Sequence, residues 1–219
     1  MLINNCSQSL RISEIFYSLQ GESLYTGLPT VFIRLTGCPL RCHYCDTTYA
    51  FSGGKSITID NICEKVADYQ VQYVTVTGGE PLAQKECTVL LTQLCEQGYN
   101  VSLETSGAIN ISNVDLRVVK VVDFKTPGSG EMEKNNYDNI RYLLPQDQIK
   151  IVICNREDYE WAKSILASHQ LASYCPILFS PSHDQLKPNI LAEWILEDKL
   201  PVRLQLQMHK YIWGNMPGR

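Results

Sequence analysis

The stretch TVFIRLTGCPLRCHYC, Thr30 to Cys45, is a short β-branched run that leads into three cysteines, Cys38, Cys42 and Cys45. In an extended chain successive side chains point to opposite faces, so Arg34 stands opposite Ile33 and Leu35. The same split recurs along the chain. Thr75 and Thr77 oppose Val74 and Val76 in YVTVT (73–77). Ser102, Glu104 and Ser106 oppose Val101 and Leu103 in and just after NVSLET (100–105). Asp123 and Lys125 share a face at the end of RVVKVVDF (117–124). In VRLQLQM (202–208) and the histidine after it, Arg203, Gln205, Gln207 and His209 oppose Val202, Leu204, Leu206 and Met208. QIKIVI (148–153) and PILFS (176–180) bring the candidate strands to seven.

Helical patterns fill the intervals. Asp60 reads as the N-cap of a helix to about Tyr69, and Pro81 starts another that Gly98 closes. In a third, Asn155 caps, Glu157 and Asp158 suit the helix dipole, and Tyr159, Ala162, Ile165, Leu166 and His169 make the buried stripe. His169 then reads as a helix-end residue and not a ligand. Alternation of this kind builds a parallel sheet, either open and doubly wound or curled into a full or partial barrel. An ordinary parallel sheet is covered on both faces and reads as apolar. Five segments here carry one polar face, which predicts an α/β fold: a partial (β/α) barrel of about six or seven mostly parallel strands around a polar ligand. The alternative is that some of these strands are edges with one face in solvent. No linker or low-complexity tract interrupts the chain, so residues 1–219 are read as a single domain.

Composition narrows the function classes. With 44% apolar and 19% charged residues and no long apolar run, no membrane span is expected. The N-terminus lacks the pattern of a secretory signal, so a mature chain starting near Met1 in the cytoplasm is the expectation. A net charge of −4 without a Lys/Arg cluster argues against a nucleic-acid partner. Nine cysteines is an odd count without framework spacing, which suits a disulfide scaffold poorly. Cys6, Cys63, Cys87, Cys95, Cys154 and Cys175 sit in mostly apolar or helical contexts, where free cysteine behaves as a small hydrophobe.

The remaining three are different. Thiolates three and four residues apart can converge on a soft metal centre, and no fourth cysteine is near. Structural zinc needs four ligands, and His43, lying between two of the cysteines, would strain to become the fourth. An iron–sulfur cluster held by three cysteines leaves one iron open to a small molecule, which points to chemistry. Zinc remains the alternative on spacing alone.

CPLRCHYC (38–45) together with TVTGGEP (75–81) resembles the CxxxCxxC and glycine-glycine-glutamate-proline motifs of the radical S-adenosylmethionine enzymes. Within that superfamily nearly the whole chain is similar to the 7-carboxy-7-deazaguanine synthase family. The similarity runs through SLQGES (18–23), GLPTVFIRLTGC (27–38), CDTTYA (45–50), ETSG (104–107), DFKTPGSG (123–130), KIVI (150–153) and LQMHKYIWG (206–214). The resemblance implies a radical SAM barrel with a 4Fe–4S cluster on Cys38, Cys42 and Cys45, whose open iron takes the amino and carboxylate groups of S-adenosylmethionine. It also implies contraction of 6-carboxy-5,6,7,8-tetrahydropterin to 7-carboxy-7-deazaguanine with loss of ammonia, a lyase step toward queuosine and other 7-deazapurines. A magnesium ion, a homodimer and an electron donor such as a flavodoxin or ferredoxin come with it.

The same resemblance assigns roles. Leu19, Gln20, Gly21 and Glu22 face the pterin, and Arg34 captures its carboxylate or pairs with Glu22 or Glu104. Thr77 and His209 project from strand ends toward the substrate, and Thr47 holds magnesium unless it is a helix N-cap. Tyr44 packs by the adenine. Gly78 and Gly79 let backbone approach the cofactor and Glu80 accepts from its ammonium. Glu104, Ser106, Asp123, Phe124 and Lys125 face its methionine and ribose, as do Ser180 and His183. Ser23 stands where much of the family has glycine, Tyr44 where tryptophan is frequent, and the tail runs on to NMPGR. Two rivals share parts of the pattern: an enzyme that activates a glycyl-radical partner, and a zinc-stabilised binding module.

Overall fold

The structure, a computed structural model, describes residues 8–214, 216 and 218. Cys6 and residues 215, 217 and 219 of the NMPGR tail lie outside them. The strands are β1 (Ser9–Leu19), β2 (Pro29–Leu35), β3 (Lys55–Thr58), β4 (Tyr73–Gly78), β5 (Asn100–Thr105), β6 (Val119–Phe124), β7 (Gln148–Ile153), β8 (Ile177–Pro181) and β9 (Arg203–Leu204). The helices are α1 (Ile59–Ala67), α2 (Cys87–Glu96), α3 (Arg156–Ser168), α4 (Pro188–Glu197) and α5 (Met208–Trp213). The strands form one unclosed sheet in the order β3-β1-β2-β4-β5-β6-β7-β8-β9. From β2 through β9 every neighbour is parallel, whereas β1 runs antiparallel to both β2 and β3.

Alternation along the parallel strands sorts two environments. Ile33, Val76, Leu103, Val122, Phe124, Ile151 and Phe179 belong to one core with Ile62 and Val66 of α1, Leu90 and Leu94 of α2, Tyr159 and Ala162 of α3, and Leu191 of α4. Arg34, Thr77, Glu104, Asp123, Lys150 and Ser180, on the other face, line a cavity. The helices thus cover one face and the curled sheet keeps the other for polar groups, which is the partial barrel that the alternation predicts.

Several local expectations change. β3 is absent from the sequence reading because KSIT is only four residues long, and β1 is absent because alternation in SLRISEIFYSL breaks phase. The pairing with β2 is irregular between Ile12 and Glu14. Leu10 and Ile12 face the core before that point and Ile15 packs against it afterwards, as expected of a strand bent by an extra residue. The predicted strand 202–208 shrinks to Arg203–Leu204, and Met208 begins α5. The strand expected over 117–124 starts two residues later, at Val119. Thr58, not Asp60, caps α1, accepting from the Asn61 N–H. Pro81 opens a single turn, and α2 starts only at Cys87. Asn155 does cap α3, and His169 ends it, stacked on Tyr137 at 4.8 Å between ring centres. Cys63, Cys87, Cys95 and Cys175 are buried and Cys154 half-buried, all as free thiols. Among the described residues no helix is long and apolar enough to cross a membrane.

Candidate active site

The cavity, about 570 Å³, opens at the carboxyl ends of the parallel strands, where loops of several strands meet. One end is the loop after β2, which carries Cys38, Cys42 and Cys45, all three lining the cavity. Backbone bonds seat this loop: Gly37 N–H donates to Ala50 O at 2.7 Å, Glu80 N–H to Gly37 O at 2.8 Å and His43 N–H to Ser129 O at 3.0 Å. Arg41 donates to the Cys38 and Leu40 carbonyls at 2.8 and 2.6 Å and lies over the Phe51 ring. Gly78 and Gly79 are required by close approach. A Cβ on Gly79 would strike Gly37 O and come within 2.7 Å of Cys38 Cβ, and one on Gly78 would strike the Leu35 backbone. Their first service is to let β4 pass under the cysteine loop.

The donor set fits a cluster. Among the described residues no three of His, Cys, Asp and Glu are grouped to hold a single metal ion. A polynuclear cluster, with its ligands on separate irons, does not require such a group. His43 is turned away against Gly130 and is not part of the cavity wall. Cys38 Sγ accepts the Leu40 N–H at 3.4 Å, the kind of bond that tunes a ligated thiolate.

Beside the cysteines the wall keeps polar atoms in reserve. Asp123 Oδ1 and the Tyr44 hydroxyl are buried without a partner among the described residues, and both residues line the cavity. A buried polar atom left unpaired is costly, so an acceptor and a phenol held this way suit a polar ligand such as S-adenosylmethionine. Lys125 Nζ sits 3.1 Å from Asp123 Oδ2 and 5.9 Å from the Tyr44 ring centre. Burial alone would lower the Lys125 ammonium, but Asp123 outweighs it and holds the group well above the ordinary lysine value. Ser106 and Ser180 complete this wall, and His183, paired with Asp184 at 2.9 Å, stands at the rim.

The opposite end is built by the turn after β1, by Arg34 and by α5. Gln20 donates to Glu104 Oε1 at 3.2 Å and to Thr75 Oγ1 at 3.1 Å, and accepts the Glu22 N–H at 3.1 Å. Thr77 donates to Glu104 Oε2 at 2.9 Å. Burial, then the nearby Glu22 charge, push Glu104 up. Burial would push Glu22 up as well, but the Lys150 ammonium bonded to it prevails and holds it below the ordinary value. Burial pushes the His209 imidazole down, which keeps it neutral near pH 7. Leu19 and Gly21 complete the wall, with Met208 N–H donating to Gly21 O at 2.9 Å.

Residues 32–116 match the Radical SAM superfamily. A curated 7-carboxy-7-deazaguanine synthase of Chlorobaculum tepidum is 49% identical over 208 residues, covering 94% of both chains. One of Koribacter versatilis is 44% identical, covering 93% of this chain and 97% of its own. The chain belongs to the 7-carboxy-7-deazaguanine synthase family. This synthase family is a radical SAM family, so a 4Fe–4S cluster and S-adenosylmethionine are its cofactors. A solved structure, QueE from Escherichia coli, superposes with a TM-score of 0.76 at 22% identity over 92% of this chain and 95% of its own, in agreement with the fold. The zinc module and the glycyl-radical activating enzyme are thereby set aside.

Within this synthase, most residues expected from the sequence line the cavity, and the structure departs from four expectations, at Glu80, Phe124, Arg34 and His209. Glu80 is fully buried behind the wall. Its carboxylate accepts from Leu82 N–H at 3.0 Å, from Ser106 N–H and Oγ at 2.7 and 2.5 Å, and from Thr105 Oγ1 at 2.9 Å, so the chain itself uses the acceptor assigned to the cofactor. Phe124 points into the core, edge-on to Tyr137 at 5.5 Å, because it follows Asp123 by one residue in a strand. Arg34 pairs with neither Glu22 nor Glu104: its Nε donates to Glu14 Oε1 at 2.7 Å. His209 reaches the cavity from α5 and not from a strand end. Thr47 stands at the N-cap position of a short turn without making the cap bond, its hydroxyl donating instead to Asp46 at 2.8 Å. Ser23 adopts φ 65°, the left-handed region that favours glycine, and stays out of the cavity with its Oγ accepting the Tyr25 N–H. Sequence reasoning missed Lys150, Asp46, Gln207 and Lys210 as wall residues. The quoted segments KIVI, CDTTYA and LQMHKYIWG contained them, and the strand phase of Asp123 would have found Lys150, its neighbour in β7.

Proposed function

We propose that this synthase contracts 6-carboxy-5,6,7,8-tetrahydropterin to 7-carboxy-7-deazaguanine with release of ammonia. The observation that carries the reading is one cavity that joins three thiols at one end to a wall of Gln20, Glu22, Glu104, Arg34 and His209 at the other. When bound, the cluster and S-adenosylmethionine supply a radical that removes one hydrogen from the substrate.

The chain's own residues do the positioning. Glu22, kept ionised by Lys150, accepts from the amino and ring N–H edge of the pterin. Arg34 is tethered at Nε by Glu14 and braced by Phe16 and Tyr49, each ring centre 5.8 Å from its Cζ. Its terminal nitrogens then face the cavity as a fork for the substrate carboxylate. Neutral His209 and Thr77 fix the ring laterally. Thr47 with Asp46 offers oxygen ligands for magnesium at the mouth. Tyr44, Ser106, Asp123, Lys125, Ser180 and His183 hold the cofactor, while Gly78 and Gly79 give it a backbone edge. A homodimer, a flavodoxin or ferredoxin as electron donor, a cytoplasmic location and a single domain over residues 1–219 belong to the same reading, with no nucleic-acid or membrane partner.

The test is anaerobic turnover after reconstitution with iron and sulfide, with 7-carboxy-7-deazaguanine followed by mass. A protein with an intact cluster that releases 5′-deoxyadenosine but makes nothing from the pterin would refute the substrate. Gly21→Ala probes the geometry: its Cβ would collide with the His209 imidazole, whose Cγ would lie at 2.8 Å. The KM for the pterin should rise on the order of tenfold or more, with that for S-adenosylmethionine little changed. Equal KM values for wild type and variant would remove His209 from the pterin subsite.

A further inference from the structure

Lys150 touches both halves of the cavity. It stands on β7 in register with Asp123 on β6. Its ammonium bonds Glu22 Oε2 and lies 3.6 Å from Asp123 Oδ2. Asp123 belongs to the cysteine end with Lys125 and Tyr44, and Glu22 to the end formed by Gln20, Gln207 and His209. The ion pairs continue in both directions. Lys125 bonds Asp123 at 3.1 Å, and Gln207 bridges Glu22 at 2.8 Å to Asp46 at 3.2 Å, which Lys210 also holds at 2.9 Å. Lys150 is the central link of that chain.

We propose that Lys150 is a positioning residue that keeps the Glu22 carboxylate ionised and aimed at the substrate while bracing it against the cofactor-side Asp123. The proposal rests on the pterin reading of the site. The two carboxylates differ in what they have without the lysine. Asp123 retains Lys125, whereas Glu22 retains the Gln207 amide and otherwise faces Asp46, Glu104 and neutral His209. Loss of Lys150 therefore disables the substrate end and largely spares the cofactor end. Glu22 and Glu104, both buried, would then share a proton, because among the described residues the cation left in reach of the pair is Arg34, which acts on Glu104 and is held by Glu14, and two buried like charges do not readily both ionise. Arginine, which keeps the charge, should restore much of what glutamine loses.

The experiment is anaerobic equilibrium binding of 6-carboxytetrahydropterin and, separately, of S-adenosylmethionine to reconstituted wild type, Lys150→Gln and Lys150→Arg between pH 6 and 8.5. In Lys150→Gln the pterin Kd should rise at least tenfold at pH 7 and recover as pH rises, since Glu22 then ionises only above its raised value. The S-adenosylmethionine Kd should move less than threefold, and Lys150→Arg should bind the pterin within about threefold of wild type. Iron content and circular dichroism equal to wild type show that the comparison is between folded proteins. Wild-type pterin affinity in Lys150→Gln, equal loss of both ligands, or arginine no better than glutamine overturns the role of Lys150 alone. A wild type that binds S-adenosylmethionine but not the pterin overturns both the role and the substrate reading.

Discussion

Cys42→Ala should yield a folded protein with less iron and no detectable 5′-deoxyadenosine or product, a loss of at least about a thousandfold. Three thiolates are the minimum that leaves one iron open and the other three held. Cys42 sits mid-loop, half-buried, and its carbonyl accepts the Cys45 N–H at 3.2 Å, a backbone bond that survives truncation. The loop is anchored elsewhere, through Gly37, His43 and Arg41. Truncation should therefore cost little stability, about 1 kcal/mol for a partly buried thiol. Iron and sulfide analysis, product mass and thermal unfolding check the three parts separately. Turnover above about one per cent of wild type with a full complement of iron would break the assignment of this thiol to the cluster.

Glu80→Ala should do the reverse, damaging the fold before the chemistry. The substitution strips the acceptor from the Leu82 and Ser106 N–H groups and from the Thr105 and Ser106 hydroxyls, all gathered on one fully buried carboxylate. The hydroxyls can turn to other acceptors, but backbone N–H groups cannot, and each one buried and unpaired costs about 1–3 kcal/mol. With the cavity left by the side chain, a loss of about 3–5 kcal/mol in urea unfolding is expected. Glu80 also ties the turn after β4 to the end of β5, the two walls beneath the cysteine loop, so iron retention should fall with stability. A variant as stable as wild type but with weakened S-adenosylmethionine binding would return Glu80 to the role that its motif suggests.

Glu80 shows where sequence reading stops. GGEP reads correctly as a glycine turn beside the cysteine loop, because glycine's lack of a Cβ is a local property. Whether the glutamate looks into the cavity or behind it depends on Thr105 and Ser106, about twenty-five residues away. Arg34 is similar: its face follows from alternation, but its partner Glu14 lies on β1, a strand that the irregularity near Ser13 hides from any period-two reading. The QMH segment carries strand-like alternation, yet α5 forms there, since Met208 N–H is taken by Gly21 O and not by a neighbouring strand.

The sequence by itself determined the βα order, the polar inner face, the close spacing of three cysteines in one loop and the family, because these rest on residue types, spacing and period within short windows. The tertiary structure alone decided how the charges are shared: Glu22 with Lys150, 128 residues apart, Arg34 with Glu14, and Glu80 enclosed by its own chain. Ion pairs and buried hydrogen bonds join groups from different strands, and no local pattern records which acid meets which base once the sheet has curled.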